Sequence, residues 1–193
     1  MKDPSPVKAL EKIQKQVTGC TKCPLHQERL NAVFGEGPWD APIMVIGEGP
    51  GANEDKQGLP FVGRAGKLLD QLLEQQGLSR KENVFIANIV KCRPPKNRVP
   101  KKPEVEACFP YLTRQIQLID PSIIVLLGAT AIKSYRGELK EKISDVRGKW
   151  SLEDGRMVMA TFHPAAVFRN RTYQGYIEAD LKTIAEQYRN GMD

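Results

Sequence analysis

The sequence lacks several features that define common classes of protein. Among its 193 residues, histidine occurs only as His26 and His163, and there are four cysteines. No apolar run approaches the roughly 20 residues that a membrane-spanning helix needs. The N-terminal stretch MKDPSPVKALEK has no apolar core typical of a signal peptide. We therefore expect a cytoplasmic protein with no membrane partner, in which cysteines seldom form structural disulfides.

A phosphate-binding P-loop is also missing, although one segment first resembles it. The segment Pro42–Gly66 reads PIMVIGEGPGANEDKQGLPFVGRAG, an apolar run followed by a loop rich in glycine. It contains no G-x-x-x-x-G-K-[ST] pattern, and Glu48, Glu54 and Asp55 would repel a phosphate. Glycines after a strand indicate that the backbone closely approaches a ligand or a neighbouring segment.

Charge and length leave two interpretations of the surface open. The chain has 29 Lys and Arg against 23 Asp and Glu, a formal net charge of +6. This excess fits a polyanionic partner, and it fits equally well a soluble protein with a lysine-rich face. No linker, repeat or low-complexity segment divides the chain, so we expect one domain over residues 1–193.

Apolar runs alternate with amphipathic helices along the chain. Four strands are predicted, at Ile43–Gly47, Val84–Val90, Ile123–Leu127 and Met157–Phe162, and residues 138–155 are expected to be irregular with Trp150 as an anchor. Strands that alternate with helices form a parallel sheet with helices on both faces. Glu48, Asn88 and His163 follow or end three of these strands, so they should meet at one edge of the sheet.

The four cysteines form a candidate metal site. Cys20 and Cys23 lie in a Cys-x-x-Cys, Cys92 follows the second strand, and Cys108 lies in the next predicted helix. Two thiolates on one turn can bind a single metal centre. Their spacing leaves three alternatives open: a 4Fe–4S cluster, a structural zinc ion, or reduced thiols without a metal.

Two basic segments are candidates for contact with a phosphate backbone. The first is rich in proline and carries Lys91, Arg93, Lys96, Arg98, Lys101 and Lys102, without an acidic residue. Its prolines should keep it extended, so that the charges could follow a nucleic-acid strand, or it is a solvated loop. The second contains Arg169 and Arg171 after His163, and its Val167 and Phe168 either pack on a helix or enter a base stack.

Five motifs, in this order and spacing, resemble the iron–sulfur uracil-DNA glycosylases known as family 4. They are CTKC from Cys20, GEGPGANED from Gly47, GLPFVG from Gly58, NIVKCRPP from Asn88 and HPAAVFR from His163. The resemblance covers nearly the whole chain. It implies an α/β/α sandwich around a four-stranded parallel sheet and a 4Fe–4S cluster on Cys20, Cys23, Cys92 and Cys108. It also implies a DNA-repair hydrolase that flips uracil from DNA and leaves an abasic site.

The same resemblance implies roles for individual residues. Phe61 would stack on uracil, Asn88 would read its edge, and His163 would donate to O2 of the leaving base. The base would be contacted by backbone groups of Gly47, Glu48 and Gly49. The Glu48 carboxylate would position or activate the attacking water, and Glu54 would hold the loop. The expected DNA contacts are Lys91, Arg93, Lys96, Arg98, Val167, Phe168 and Arg169.

One departure from a neighbouring group of proteins bears on turnover. Those proteins carry an extra basic loop with a histidine after the Cys-Arg-Pro-Pro segment, and this loop allows covalent trapping on DNA. Here the segment reads PPKNRVPKKPE and has no histidine, so the resemblance implies turnover with free uracil as product. We expect a monomer, and the sequence leaves a replication-clamp partner open.

Overall fold

The computed structural model describes residues 5–137 and 142–191. The predictions that concern residues 1–4 and 138–141 fall outside this part of the chain. None of the helices in the described part combines the length and the apolar composition that crossing a bilayer requires.

The described residues form seven helices and five strands. The helices are α1 (Pro6–Thr18), α2 (Ala52–Gln57), α3 (Arg64–Glu74), α4 (Lys102–Ile119), α5 (Gly128–Arg136), α6 (Ile143–Val146) and α7 (Thr172–Asn190). The strands are β1 (Ile43–Gly47), β2 (Val84–Asn88), β3 (Ile123–Leu127), β4 (Trp150–Glu153) and β5 (Arg156–Thr161). Short 3₁₀ turns occur at Pro24–His26, Pro95–Asn97 and Pro164–Phe168.

The strands form one sheet in the order β2-β1-β3-β5-β4. The four predicted strands, β2, β1, β3 and β5, are parallel to one another, as expected. The prediction of an irregular segment around Trp150 was wrong for β4, which pairs antiparallel with β5. β4 is an edge strand, which pairs on one side only and is incompletely buried, so it can contain polar residues. A search for apolar runs therefore does not find it.

Helices cover both faces of the sheet, which confirms the predicted three-layer sandwich. Alternate residues of β1 point to opposite sides: Met44 and Ile46 join one core cluster, whereas Ile43 and Val45 join the other. The first cluster contains buried residues of α1, α4 and α5, and the second those of α3 and α7. The parallel strands thus end together at one edge, from which their following loops emerge.

The glycine-rich segment after β1 folds back tightly on itself. It contains the short helix α2, which the sequence did not predict, and then continues to α3. At Gly66 in α3, a Cβ atom would lie 1.8 Å from the carbonyl oxygen of Phe61. Only a glycine permits this approach of α3 to the backbone that precedes it.

We expect Gly66→Ala to lower the free energy of unfolding by at least about 1–3 kcal/mol, because the added methyl meets backbone that cannot move freely. Gly175→Ala in α7 is the matched control, since its Cβ would meet nothing within 4 Å. That substitution should raise stability by roughly 0.5–1 kcal/mol through helix propensity. Chemical denaturation measures both, and equal effects of the two substitutions would contradict the packing argument.

Candidate functional site

A cavity of about 670 Å³ opens at the edge of the sheet where the parallel strands end. Its wall includes Glu48 after β1, Asn88 at the end of β2 and His163 after β5. These are the polar residues whose convergence the sequence predicted from their positions at strand ends. Phe61 and Glu54, from the glycine-rich segment, also line the cavity.

The ring of Phe61 forms an apolar wall of this cavity. A Cβ atom at Gly47 would lie 2.6 Å from the ring and 2.5 Å from Oδ1 of Asn88, so glycine at this position makes room for both groups. The Phe61 and His163 rings are stacked, with centroids 5.5 Å apart and planes at 29°. The three positions therefore form one flat-sided recess.

Asn88 offers an unpaired polar group to the recess. Its residue is only 2% exposed. Among residues 5–137 and 142–191, the buried side-chain atoms without a hydrogen-bond partner are Asn88 Oδ1 and Arg156 Nε. An unpaired buried amide costs free energy unless a ligand satisfies it. A carboxamide presents a donor beside an acceptor, which is the complement of a cyclic imide or amide edge.

His163 is held as a neutral hydrogen-bond donor. Its Nδ1 accepts a hydrogen bond of 3.1 Å from the backbone N–H of Ala165, so the ring proton of the neutral form lies on Nε2. Burial lowers the pKa of His163 to about 4, against the smaller opposing effect of Glu54. The imidazole can thus donate from Nε2 at neutral pH without carrying a positive charge.

Two acidic side chains of the glycine-rich segment accept hydrogen bonds from backbone N–H groups. Glu54 accepts hydrogen bonds from the N–H groups of Gly51, Val62 and Gly63, at 3.1, 2.9 and 2.8 Å. Asp55 is buried and accepts from the N–H groups of Leu30 and Asn31. The two carboxylates tie the segment to itself and to the chain before β1. Glu48, in contrast, lines the cavity and is half-buried.

The four cysteines lie around a second, smaller cavity between α1 and α4. Cys92 Sγ accepts a hydrogen bond of 3.0 Å from Arg29, and Cys108 Sγ one of 3.2 Å from the backbone N–H of Lys91. Burial raises the pKa of the Cys92 thiol, and it raises that of Cys108 to about 11. Burial thus favours the protonated form of these two thiols. In the described part of the chain, no three acidic, cysteine or histidine side chains are grouped closely enough to hold one metal ion.

The predicted basic DNA contacts need correction. Lys91 is 1% exposed, and its Nζ donates to Asn88 O at 3.0 Å and to Gln115 Oε1 at 2.6 Å. It therefore has no surface to offer a phosphate. Arg98 forms a two-bond ion pair with the buried Glu104, at 2.8 and 2.6 Å, so that its charge is already compensated.

Arg93 and Lys96 are better placed at the surface. Arg93 is half-buried and donates to Asn97, whereas Lys96 is exposed. The sequence predicted an extended segment here, and that prediction was wrong. The segment forms a 3₁₀ turn at Pro95–Asn97. Lys96 and Asn97 both have positive φ angles, of 54° and 55°. Pro94 and Pro95 thus begin a tight turn, in which Lys96 is exposed.

Of the apolar residues Val167 and Phe168 in the loop after His163, the first is buried in the core and the second is exposed. Val167 is 6% exposed and packs with α3 and α7, so the expectation that it enters DNA does not fit its placement. Phe168 is 41% exposed, and the guanidinium of Arg64 lies 4.0 Å from the centre of its ring. Arg169 and Arg171 are exposed in the same loop.

Comparison with known proteins identifies the family of this chain. The model of the uracil DNA glycosylase superfamily matches residues 34–185. A type-4 uracil-DNA glycosylase of Sulfurisphaera tokodaii is 50% identical over 186 residues, which cover 92% of this chain and 84% of that protein. One of Thermotoga maritima is 49% identical over 166 residues, covering 84% of this chain and 85% of the relative.

The chain belongs to the type-4 uracil-DNA glycosylases. A type-5 uracil-DNA glycosylase of Thermus thermophilus is 29% identical over 167 residues, covering 77% of this chain and 74% of that protein. The higher identity to the type-4 proteins decides between the two types. It confirms the resemblance that the five motifs predicted.

In this type-4 family member, three residues around the site had no signal in the sequence. Arg64 lies over Phe168, Gln115 accepts from Lys91, and Arg80 donates to Pro60 and Phe61. Each belongs to a segment that otherwise resembles an ordinary charged or polar helix or turn. Only the fold brings them against residues that are distant in sequence.

We expect His163 to stay neutral well below the usual pKa of a histidine. Its folded-state pKa of about 4 lies below the unfolded value of about 6.5. Between these values the unfolded chain binds the proton and the folded chain does not, so stability should fall as the pH drops from about 6.5 to about 4. His163→Gln should lose this part of the pH dependence.

Nitrogen NMR of the imidazole measures the protonation state and the tautomer directly, with His163→Gln to assign the signal. Denaturation at several pH values measures the linked change in stability. A His163 resonance that titrates near pH 6.5 would contradict the predicted burial of the neutral ring.

Proposed function

We propose that this protein is a uracil-DNA glycosylase that hydrolyses the N-glycosidic bond between uracil and deoxyribose in DNA and leaves an abasic site. The observation that carries the proposal is the convergence of Phe61, Asn88 and His163 on one recess. The relatives named above, which are called type-4 uracil-DNA glycosylases, support the same activity.

The position of these residues below the protein surface requires that the base leave the helix. Asn88 is almost fully buried, and Phe61 is 6% exposed. A base stacked in duplex DNA cannot reach them, so the nucleotide must be flipped into the cavity. The Phe61 ring would then stack on the uracil, a type of contact worth about 1–3 kcal/mol.

Selection of uracil would depend on the Asn88 amide. Uracil presents a carbonyl at O4 beside the N3–H donor, and the amide can donate to the first and accept from the second. Cytosine presents an amine and an unprotonated ring nitrogen instead, so an amide kept in the orientation for uracil would face like groups. The unpaired Oδ1 supports this role, since N3–H of uracil would satisfy it.

Cleavage would proceed with the negative charge building up on the departing base. The N1–C1′ bond breaks, its electron pair stays on uracil, and the oxygen of water adds to C1′. His163 would donate from Nε2 to O2 of uracil as charge develops there, in the manner of an oxyanion hole. Glu48 lies at the same cavity and would orient the water and accept its proton. Glu54 would act only by holding the loop.

The four cysteines are suited to hold a 4Fe–4S cluster. All four line one small cavity, and cysteine thiolates are the usual ligands of such a cluster. The N–H groups of Arg29 and Lys91 already point at two of the sulfurs, as is usual around such clusters. Bound there, the cluster would cross-link the loop after α1 to the segment between β2 and α4.

DNA would lie across the mouth of the cavity, on a surface of exposed cations. Lys96 is exposed next to Asn97, which lines the cavity, and half-buried Arg93 precedes Pro94, another lining residue. Arg169 also lines the cavity and is exposed, as is Phe168 beside it. Lys91, Val167 and the compensated Arg98 are left out of this surface for the reasons given above. Because the turn at Pro95–Asn97 carries no histidine, we propose turnover without covalent trapping.

The activity is tested with a uracil-containing oligonucleotide, followed by alkaline cleavage of abasic sites. Wild-type protein should break the strand at uracil. We expect His163→Ala to lower the single-turnover rate about 10²–10³-fold, the usual loss for a donor to a developing oxyanion. DNA binding, measured by gel shift, should change far less.

Asn88→Asp serves as the matched test of base recognition, because a carboxylate accepts but cannot donate to O4. It should lower kcat/KM for uracil by at least about 10-fold and narrow the preference for uracil over cytosine. An intact protein that binds uracil DNA without cleaving it would favour a binding module instead. An unchanged preference in Asn88→Asp would remove that residue from base recognition.

The cluster is tested on the purified protein. We expect a brown colour and about four iron and four sulfide per chain, whereas a zinc protein would be colourless. Cys92→Ser should lose iron and unfold at a lower temperature, since the cross-link is broken. Zinc without iron in anaerobically purified wild-type protein would contradict the cluster.

A further inference from the structure

Phe61 has a backbone conformation that its side chain disfavours. Its φ angle is 51°, in the left-handed region, which costs a residue other than glycine about 1–3 kcal/mol. Such a conformation persists only where the surroundings determine it strongly. Because the orientation of the ring depends on this backbone, whatever holds residues 60 and 61 also aims the ring into the recess.

The guanidinium of Arg80 holds this turn from behind. Its Nη1 donates to the carbonyl oxygen of Pro60 at 2.7 Å, and its Nη2 donates to that of Phe61 at 2.9 Å. The two carbonyls on either side of the strained φ angle are thus bound by one rigid, planar group. The Arg80 side chain is only 12% exposed, so water competes little for these bonds.

Arg80 is itself fixed by two carboxylates. Its Nη1 donates to Glu36 and its Nε to Asp70, both at 2.8 Å. Asp70 lies in α3, and Glu36 exchanges backbone hydrogen bonds of 2.9 and 2.7 Å with Ile86 of β2. Arg80 therefore connects the turn at Phe61 to the strand that carries Asn88.

We propose that Arg80 is a positioning residue for uracil recognition, which acts by holding the Phe61 backbone so that the ring faces the base held by Asn88. The inference rests on the proposed function. A lysine cannot replace the arginine, because a single ammonium does not reach two carbonyls and two carboxylates with a fixed fork. Arg80 itself is not among the residues that line the cavity.

A purely structural role would predict a different result from a positioning role. Loss of a buried ion pair lowers stability wherever it occurs, whereas loss of positioning matters only while the Phe61 ring is present. A double-mutant cycle separates the two, because residues that act through one another have non-additive effects. The four proteins are wild type, Arg80→Met, Phe61→Ala and the double variant.

We expect Arg80→Met to lower kcat/KM on uracil DNA about 10- to 100-fold, as for other losses of orientation near a reacting group. In the Phe61→Ala background the same change should cost less than about 3-fold, since no ring remains to be aimed. Inhibition by free uracil should weaken in parallel with Arg80→Met, because the ring binds the product too. Equal losses in both backgrounds would overturn the proposal.

Arg136→Met is the matched control for removal of an ion pair, since Arg136 binds Glu153 and Ser151 away from the cavity. It should leave kcat/KM unchanged. All variants are assayed at a temperature where circular dichroism shows them folded. If Arg80→Met does not fold, Arg80→Lys enters the same cycle, with the same expected non-additivity.

Failure of this inference is distinguishable from failure of the proposed function. Wild-type protein that does not cleave uracil DNA would refute the function. Wild-type protein that cleaves, with an additive cycle, would refute only the role of Arg80.

Discussion

The site depends on the parallel register of β1 and β2, which places Gly47 directly beside Asn88 at the end of the sheet. The pairing continues one step beyond the strands, through hydrogen bonds from Ile89 to Gly47 and from Val90 to Glu48. Because the backbone is fixed at this point, the Asn88 amide has one location, and the absence of a side chain at Gly47 leaves space for the Phe61 ring. A shift of the register would separate the amide from the ring.

Charged groups close to the site serve mainly to hold backbone. Glu54 and Asp55 bind N–H groups of the glycine-rich segment and of the chain before β1, and Arg80 binds carbonyl groups on the other side. Acidic and basic residues thus satisfy opposite ends of the peptide groups in a loop that has little regular structure. This arrangement fixes the walls of the recess without filling it.

Lys91 connects the recess at Asn88 to the cavity that the four cysteines line. Its ammonium binds the carbonyl oxygen of Asn88, while its own backbone N–H binds the sulfur of Cys108. Gln115 extends the connection to the carbonyl oxygen of Phe34. Burial lowers the pKa of Lys91 to about 8. A basic residue that the sequence associated with the DNA surface is therefore part of the interior, between the recess and the cysteines.

By itself, the sequence determined the sandwich, the order of the four parallel strands along the chain, and the residues that gather at their ends. These follow from apolar runs, from alternation with helices and from the rule that parallel strands end at one edge. Tertiary structure alone decided which charges are exposed. In the sequence, Lys91 and Arg98 cannot be distinguished from the other basic residues of their segment. In the structure, Lys91 donates to the buried Gln115 and Arg98 to the buried Glu104. It also decided the left-handed backbone at Phe61 and its contact with Arg80, because partners 19 residues apart leave no periodic signal.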